Sequence, residues 1–393
     1  MNQAGYLSRT QEYGLAATTA VVTANAYYIH PIIGEVARDF GVDAGSIGLV
    51  PALNQIALAV GIFLLLPLGD RYSNRSLCIT FVSLQTIAML GMAVAAELLL
   101  FTLASTLLGF VTIAPYLLPA FASKRVAPER LGQVTALLTA GVIFGILVAR
   151  VGAGVVAAEY GWRTVYWIAA VLMILVTLAL PIAMRSETAT EKQPSESYAR
   201  LLASVFELAK QHREVLVSAL IQALNFAMFT ATWLALALHL TSPELGYGVD
   251  TVGYLAGIAA VSILSTPRIG RWADKVGARK ARLVLAALQL VGTALLYPFG
   301  TGAAAILVPL IIVNLVGPGV DVTGRMTFLS LAPDIRTRLT TIYIVIMFLG
   351  GGVGSILGTA SYDWGGWGAT CAMIVGASLL TTALSFLAFK RWQ

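Results

Sequence analysis

Charge is what this chain has least of. Asp, Glu, Lys and Arg make up 11% of its 393 residues, where a soluble domain carries about 25%. A water-soluble fold of this length would have too little polar surface to cover itself. Titratable and redox-active groups are equally sparse, with three histidines (His30, His212, His239) and two cysteines (Cys78, Cys371). The histidines lie on separate segments and form no His-Glu-x-x-His pattern, so no metal site is expected. The cysteines fall in apolar runs near opposite faces of the predicted topology, which makes a disulfide implausible. No Gly-x-x-x-x-Gly-Lys-Ser/Thr loop is present to cradle a phosphate, and no Gly-x-Ser-x-Gly elbow to present a nucleophile. ATP-driven pumping, a bound cofactor and enzymatic chemistry are therefore not expected.

What the chain does have is apolar length. Hydrophobic residues are 58% and the mean hydropathy is +0.83. A helix needs about 20 apolar residues to cross a bilayer. Twelve runs qualify: 13–37, 46–69, 77–96, 98–123, 132–157, 164–184, 215–240, 250–269, 281–299, 303–324, 339–360 and 367–389. Strands of a membrane β-barrel are about ten residues long and alternate in polarity, and these runs do not. The predicted fold class is an all-α membrane protein of twelve transmembrane helices.

Basic residues give the orientation. With the N-terminus in the cytoplasm, every Lys and Arg except Arg38, Arg150 and Arg163 falls on cytoplasmic segments, as the positive-inside rule requires. Twelve crossings return Lys390 and Arg391 to the same side. The net charge of +6 follows from this bias and is no sign of a nucleic-acid partner. The first run is long enough to span, so it reads as a retained helix.

The one sizeable polar segment divides the chain. Ser186, Glu187, Glu191, Lys192, Pro194, Ser195 and Glu196 read as a linker. After it, Leu201, Leu202, Val205, Phe206 and Leu208 favour one helical face against Arg200, Glu207, Lys210 and Arg213. That pattern predicts a helix lying on the inner membrane surface, with a regulatory target as the alternative. The predicted organisation is an N-terminal six-helix bundle over 1–184, a cytoplasmic linker over 185–213 and a C-terminal six-helix bundle over 214–393.

The two bundles repeat one another. Leu68-Gly69-Asp70-Arg71-Tyr72-Ser73-Asn74-Arg75 has a counterpart in Gly270-Arg271-Trp272-Ala273-Asp274-Lys275-Val276-Gly277-Ala278-Arg279-Lys280. Ala127-Pro128-Glu129-Arg130 matches Ala332-Pro333-Asp334-Ile335-Arg336, and Gly161-Trp162 matches Gly366-Trp367. All fall at offsets of 204 to 206 residues. Because six crossings is an even number, the copies are expected to be related by an axis along the membrane normal, as in transporters built from parallel repeats.

On these residues the chain resembles the major facilitator superfamily. That family's loop between helices 2 and 3 reads Gly-x-Leu-Ala-Asp-Arg-x-Gly-Arg-Arg, with Lys sometimes replacing Arg. Gly270 to Lys280 fits it well. The first copy keeps Asp70, Arg71 and Arg75 but has Leu66 and Ser73 at the two glycine places. The resemblance covers essentially the whole chain and implies two pseudo-symmetric six-helix bundles rocking about a central cavity. It implies a conformational latch at Asp70, Arg71, Arg75, Gly270, Asp274 and Arg279, against the plainer reading of a topology signal. Asn25-Ala26-Tyr27-Tyr28-Ile29-His30-Pro31 and Gly161-Trp162-Arg163 look like bacterial drug or sugar efflux permeases. Two features of family antiporters are absent: Ile146 stands where helix 5 would carry Pro, and Ser105 or Thr106 where helix 4 would carry Arg.

Ionisable groups within a bilayer are costly and point to function. Arg150, about two turns from the outer loop, either grips an anion, pairs with an acid or snorkels to the headgroups. Asp321 and Arg325 share a helix face at a spacing of four. Either they form an internal ion pair or Asp321 carries a proton. His30 precedes Pro31, which kinks a helix, and histidine titrates near neutrality; its alternative is a neutral hydrogen-bonded role. Asn25, Tyr27, Asn54, Gln55, Tyr116, Gln222, Asn225, Trp233 and Asn314 would line a polar-aromatic cavity or glue helices together.

The expected function is secondary active transport by alternating access in the bacterial inner (plasma) membrane, with both termini cytoplasmic. The leading form is proton-coupled efflux of a small amphipathic organic compound by a monomer. The alternatives are a metabolite importer or facilitator using Arg150 for an anionic substrate, and a non-transporting receptor or assembly factor on a transporter scaffold. The partners implied are a small molecule, a proton and the lipid bilayer.

Overall fold

The computed structural model describes residues 6–185, 197–328, 331 and 333–392. Its helices run α1 (Arg9–Ala24), α2 (Ile29–Phe40), α3 (Ala44–Ile47), α4 (Leu49–Leu65), α5 (Asn74–Val94), α6 (Leu98–Val111), α7 (Ala114–Ser123), α8 (Leu131–Tyr160), α9 (Trp162–Ala183), α10 (Tyr198–Gln211), α11 (Arg213–Leu240), α12 (Val249–Ala256), α13 (Val261–Val276), α14 (Ala278–Leu295), α15 (Leu307–Met326) and α16 (Pro333–Arg391). Among the described residues, nine segments are long and apolar enough to cross a bilayer by length and composition alone. The last of these holds two crossings, because α16 folds back at Gly365 and Gly366, whose backbone is not helical. Two further crossings are less uniform: the α1–α2 pair is interrupted, and α14 opens with Arg279, Lys280 and Arg282. The twelve predicted spans are thus all occupied by helix. Turns alternate between a face bearing Asp70, Asp274 and Arg391, here the terminal face, and an opposite face bearing Gly41, Gly161 and Gly246.

Two crossings expected to be continuous are broken, and proline explains both. Proline lacks an amide hydrogen, and its ring displaces the carbonyl four residues back. Before Pro31 the chain leaves the helix over residues 25–28, and the Tyr27 carbonyl accepts from the His30 amide at 3.2 Å. Before Pro115 it leaves at Thr112 and Ile113, with the Thr112 amide on the Gly109 carbonyl at 3.1 Å. The first break takes Tyr27 out of the regular helix, and the second puts Tyr116 in the first turn of α7.

Small residues set how closely helices approach within each half, and they do so twice over. A side chain at Gly145 would sit 2.2 Å from the Ala20 carbonyl oxygen, and one at Gly141 2.6 Å from that of Ala16, so α8 lies directly on α1. In the second half α16 lies on α11 in the same way: a Cβ at Gly350 would stand 2.3 Å from the Ala223 oxygen, and one at Gly354 2.3 Å from the Ala227 oxygen. Without water to drive association, close backbone packing is what holds membrane helices together. Buried glutamines repeat too. Gln85 donates to the Val22 carbonyl at 3.1 Å, and Gln289 to Asn225 Oδ1 at 2.7 Å.

The halves meet toward the face opposite the termini. There Gly34 abuts Thr241, Gly48 abuts Thr359, and Gly154 abuts Val249 and Gly253. The ion pairs Arg130–Glu12, Arg163–Asp39, Arg279–Glu214 and Arg325–Asp321 each join residues of one half.

The predicted linker residues Ser186 to Glu196 lie outside the described residues. The amphipathic stretch that follows is helical, as α10. It packs against the bundle through Val205 and Ala209, both buried, while Phe206 meets Phe63 edge-on with ring centroids 5.3 Å apart. The Tyr198 hydroxyl donates to the Leu64 carbonyl.

Candidate functional site

Arg150 is the most unusual side chain in the molecule. It projects from α8 and is 1% exposed, yet its Nε, Nη1 and Nη2 find no hydrogen-bond partner in the protein. A guanidinium carries five N–H donors, and a buried one without a carboxylate is normally destabilising by several kcal/mol. What it meets instead is aromatic. Its Cζ stands 3.7 Å from the Trp233 ring centroid and 5.3 Å from that of Phe229, both on α11. Cations over aromatic faces gain about 2 kcal/mol when desolvated, which leaves much of the burial uncompensated. The guanidinium neither snorkels nor pairs with an acid.

His30 completes the niche from α2. It is 1% exposed, and both ring nitrogens are without protein partners. Its ring packs edge-on against Tyr27 at 5.3 Å and tilted against Phe229 at 6.3 Å. Arg150 lies within electrostatic reach of both Tyr27 and His30. Three side chains of the first half and two of the second thus converge on a single buried point. The Pro31 break turns Tyr27 inward, and the spacing of four between Phe229 and Trp233 puts both rings on one face of α11.

A second polar group lies nearer the terminal face. Arg325 Nε stands 3.0 Å from each Asp321 carboxylate oxygen, and the Tyr343 hydroxyl donates to Asp321 Oδ1 at 3.1 Å. Asp321 and Arg325 are 28% and 32% exposed, so the pair is wetted. Tyr116 of α7 lies within electrostatic reach of Tyr27, Arg325 and Asp321. It thereby links the two clusters across the interface between halves.

The remaining predicted residues divide. Gln55 is buried with an unpartnered Oε1, facing Gly351 of the other half. Asn25 is turned onto the Met173 sulfur at 3.1 Å. Asn54 donates to the Ser105 carbonyl at 2.7 Å, and a Cβ at Gly109 would stand 2.1 Å from the Asn54 carbonyl. Asn225 donates to Gln222 and to the Gly317 carbonyl, and Asn314 to the Leu310 carbonyl of its own helix. Asn25, Asn54 and Asn225 thereby hold helices together, while the Asn314 bond stays within its own helix. In the signature loops, Asp70, Arg71 and Asp274 are exposed. Arg75 donates to the Pro181 carbonyl at 3.3 Å, and Arg279 grips Glu214 through two bonds of 2.6 and 2.8 Å. Both arginines act within their own half. Gly270 is not forced by packing, since a Cβ there meets only Val322 at 3.9 Å.

Sequence reasoning passed over Phe229, Tyr343, Arg282 and Glu12. Phe229 was detectable from its spacing to Trp233. Arg282 is buried with Nη1 on Ser218 Oγ at 2.7 Å, and Glu12 is buried against Arg130. Both sat at the ends of apolar runs, where charge reads as loop.

A sequence model of the Major Facilitator Superfamily matches residues 15–320 and 218–392. The chain belongs to that superfamily. The "Uncharacterized transporter YgaY" of Escherichia coli O157:H7 is 31% identical over 380 residues, covering 96% of this chain and 95% of the relative. The "Multidrug resistance protein MdtG" of Citrobacter koseri is 24% identical over 233 residues, covering 57% and 56%. Among solved structures, the nucleoside transporter NupG superposes with a TM-score of 0.74 at 15% identity, covering 99% of this chain and 100% of that one. As a member of the major facilitator superfamily, the protein is a multi-pass membrane transporter of twelve helices in two pseudo-symmetric bundles. It is not an enzyme.

Proposed function

We propose that this transporter carries a small amphipathic organic anion, with Arg150 as its anchor and His30 as the proton-coupling group. One observation carries the reading: a fully buried guanidinium with every nitrogen unpartnered, at the junction of the two halves. Carboxylates bind guanidinium groups through paired, charge-assisted bonds. The rings of Tyr27, Phe229 and Trp233 supply an apolar wall for the rest of such a ligand. A carboxylate seated on Arg150 neutralises the positive charge beside His30 and makes room for a proton there. By linkage, the proton then favours the anion equally. Asp321 is a weaker candidate for coupling, because Arg325 and Tyr343 already hold its carboxylate.

The halves pack closely on the face opposite the termini, so this conformation suits entry from the terminal face. The basic residues gathered there support a cytoplasmic terminal face and a place in the bacterial inner membrane. Asp70 and Asp274, exposed here, would latch that face once the halves tilt together. A monomer suffices, since both walls of the niche come from one chain. Efflux, the leading expectation from sequence, is the second reading. It is favoured by the stretch shared with MdtG.

The test is a thermal-stability screen of the purified protein over aromatic and aliphatic carboxylic acids, each paired with its neutral amide. Acids are expected to stabilise and amides not. Arg150→Met should abolish the effect, and Arg150→Lys should fail to restore it, because a point charge cannot replace a stacked bidentate fork. Equal stabilisation by acids and amides, or an unchanged response in Arg150→Met, would overturn the assignment. Flux in inverted against right-side-out vesicles then gives the direction.

A further inference from the structure

A second cavity lies away from this niche, between the halves. Its walls are Ala59, Val60, Phe63 and Leu64 at the end of the second crossing, facing Ile342, Val345, Ile346 and Leu349 near the start of the eleventh. Leu216 contributes from α11, and α10 closes it at the terminal face with Phe206, Ala209 and Lys210. Its volume is about 520 Å³, within the range of sites that take small ligands. The two crossings touch farther up, where a Cβ at Gly352 would stand 2.6 Å from Ile56 Cγ1. From that contact they diverge toward the terminal face, so the cavity is a wedge with an apolar body. Val60 and Leu349 on its walls are 41% and 39% exposed.

The rim of the wedge is basic. Among the described residues, Lys210 is the one charged residue lining it. Arg213, at the start of α11, is exposed; of the neighbouring acids, Glu214 is already occupied by Arg279 and Glu207 is exposed on α10. An apolar slot at membrane depth that ends at the exposed Lys210 matches one bilayer component: an acyl chain whose headgroup is anionic. We infer that the wedge between the second and eleventh crossings binds an anionic phospholipid, chain inward and phosphate on Lys210, with α10 as its lid. A phosphodiester oxygen accepts from an ammonium without needing a planar fork. The chain, lying between the halves, would keep them apart at the terminal face and favour the conformation described here. Lipid composition would thus set the balance between the transporter's two states.

The experiment uses the full-length protein in phosphatidylcholine nanodiscs carrying a trace of chain-spin-labelled phosphatidylglycerol or of chain-spin-labelled phosphatidylcholine. The account predicts a motionally restricted component for phosphatidylglycerol that exceeds the phosphatidylcholine one. Lys210→Gln should lower relative affinity for phosphatidylglycerol about fivefold, the factor for roughly 1 kcal/mol per basic residue at an anionic surface. Ala59→Trp, which fills the wedge, should abolish the component. Lys210 is exposed and Ala59 lines the cavity while itself buried, so a stability measurement on each variant separates loss of lipid from loss of fold. Two results would overturn the proposal. One is equal restriction of both lipids in the wild type and in Lys210→Gln. The other is a component in the folded protein that survives Ala59→Trp.

Discussion

At the scale of single residues the protein rests on a few buried polar groups, and their partners show which serve structure. Glu12 has Arg130, Gln289 has Asn225, and Asn54 has Ser105. Each makes a side-chain contact to another helix or its cap, of the kind that contributes about 1 kcal/mol between membrane helices. Arg150 and His30 have no such partner in the protein, and both face the seam between halves. A satisfied residue can be replaced at the expense of stability; an unsatisfied one is retained for a ligand. His30→Gln should therefore leave acid-induced stabilisation largely intact, since Arg150 still anchors the anion. It should remove accumulation driven by an imposed pH gradient in proteoliposomes, leaving only equilibration. If the variant still concentrates the anion against a gradient, another group carries the proton.

Elements were legible in the sequence in proportion to how uniform they are. Every apolar run became a helix, because hydrocarbon leaves the backbone no other way to satisfy its own hydrogen bonds. The breaks before Pro31 and Pro115 were harder to place, since a proline can kink, break or merely cap, and only neighbouring helices decide. The charged opening of α14 blurred its start, and Arg282 was lost in that blur. Glycines were the clearer signal. Gly141 and Gly145, like Gly350 and Gly354, stand four residues apart, the spacing that lets helices approach, and each meets backbone of a neighbouring helix. Gly152 does not, for nothing lies within 4 Å of a Cβ there. Gly145→Val should force α8 off α1 and sharply reduce the yield of monodisperse protein by size-exclusion chromatography. Gly152→Ala should be tolerated and should raise stability by about 0.5–1 kcal/mol through helix propensity.

At the scale of the whole molecule, the twofold repeat explains both the fold and the placement of the site. Two copies of one six-helix unit pack internally by the same glycine contacts and meet along a seam. Function collects on that seam because only there does motion of one half change a residue's surroundings. The repeat was readable from Asp70 and Asp274, Gly161 and Gly366, and their neighbours. The site was not, because it breaks the repeat: the positions matching Arg150 and Trp233 in the other half hold Ser355 and Tyr28. Which polar residues would glue helices and which would face the seam depended on helix rotation, and rotation is set by packing. The central claim is that an anion on Arg150 shifts which face of the seam is open. It is tested most directly by spin-label distances in a background lacking Cys78 and Cys371. One pair spans the terminal face at positions 72 and 275, and the other the opposite face at 160 and 364, all exposed. An acid that stabilises the protein should shorten the first distance and lengthen the second, and Arg150→Met should hold both still. Distances that change together, or that respond equally in Arg150→Met, would contradict the account.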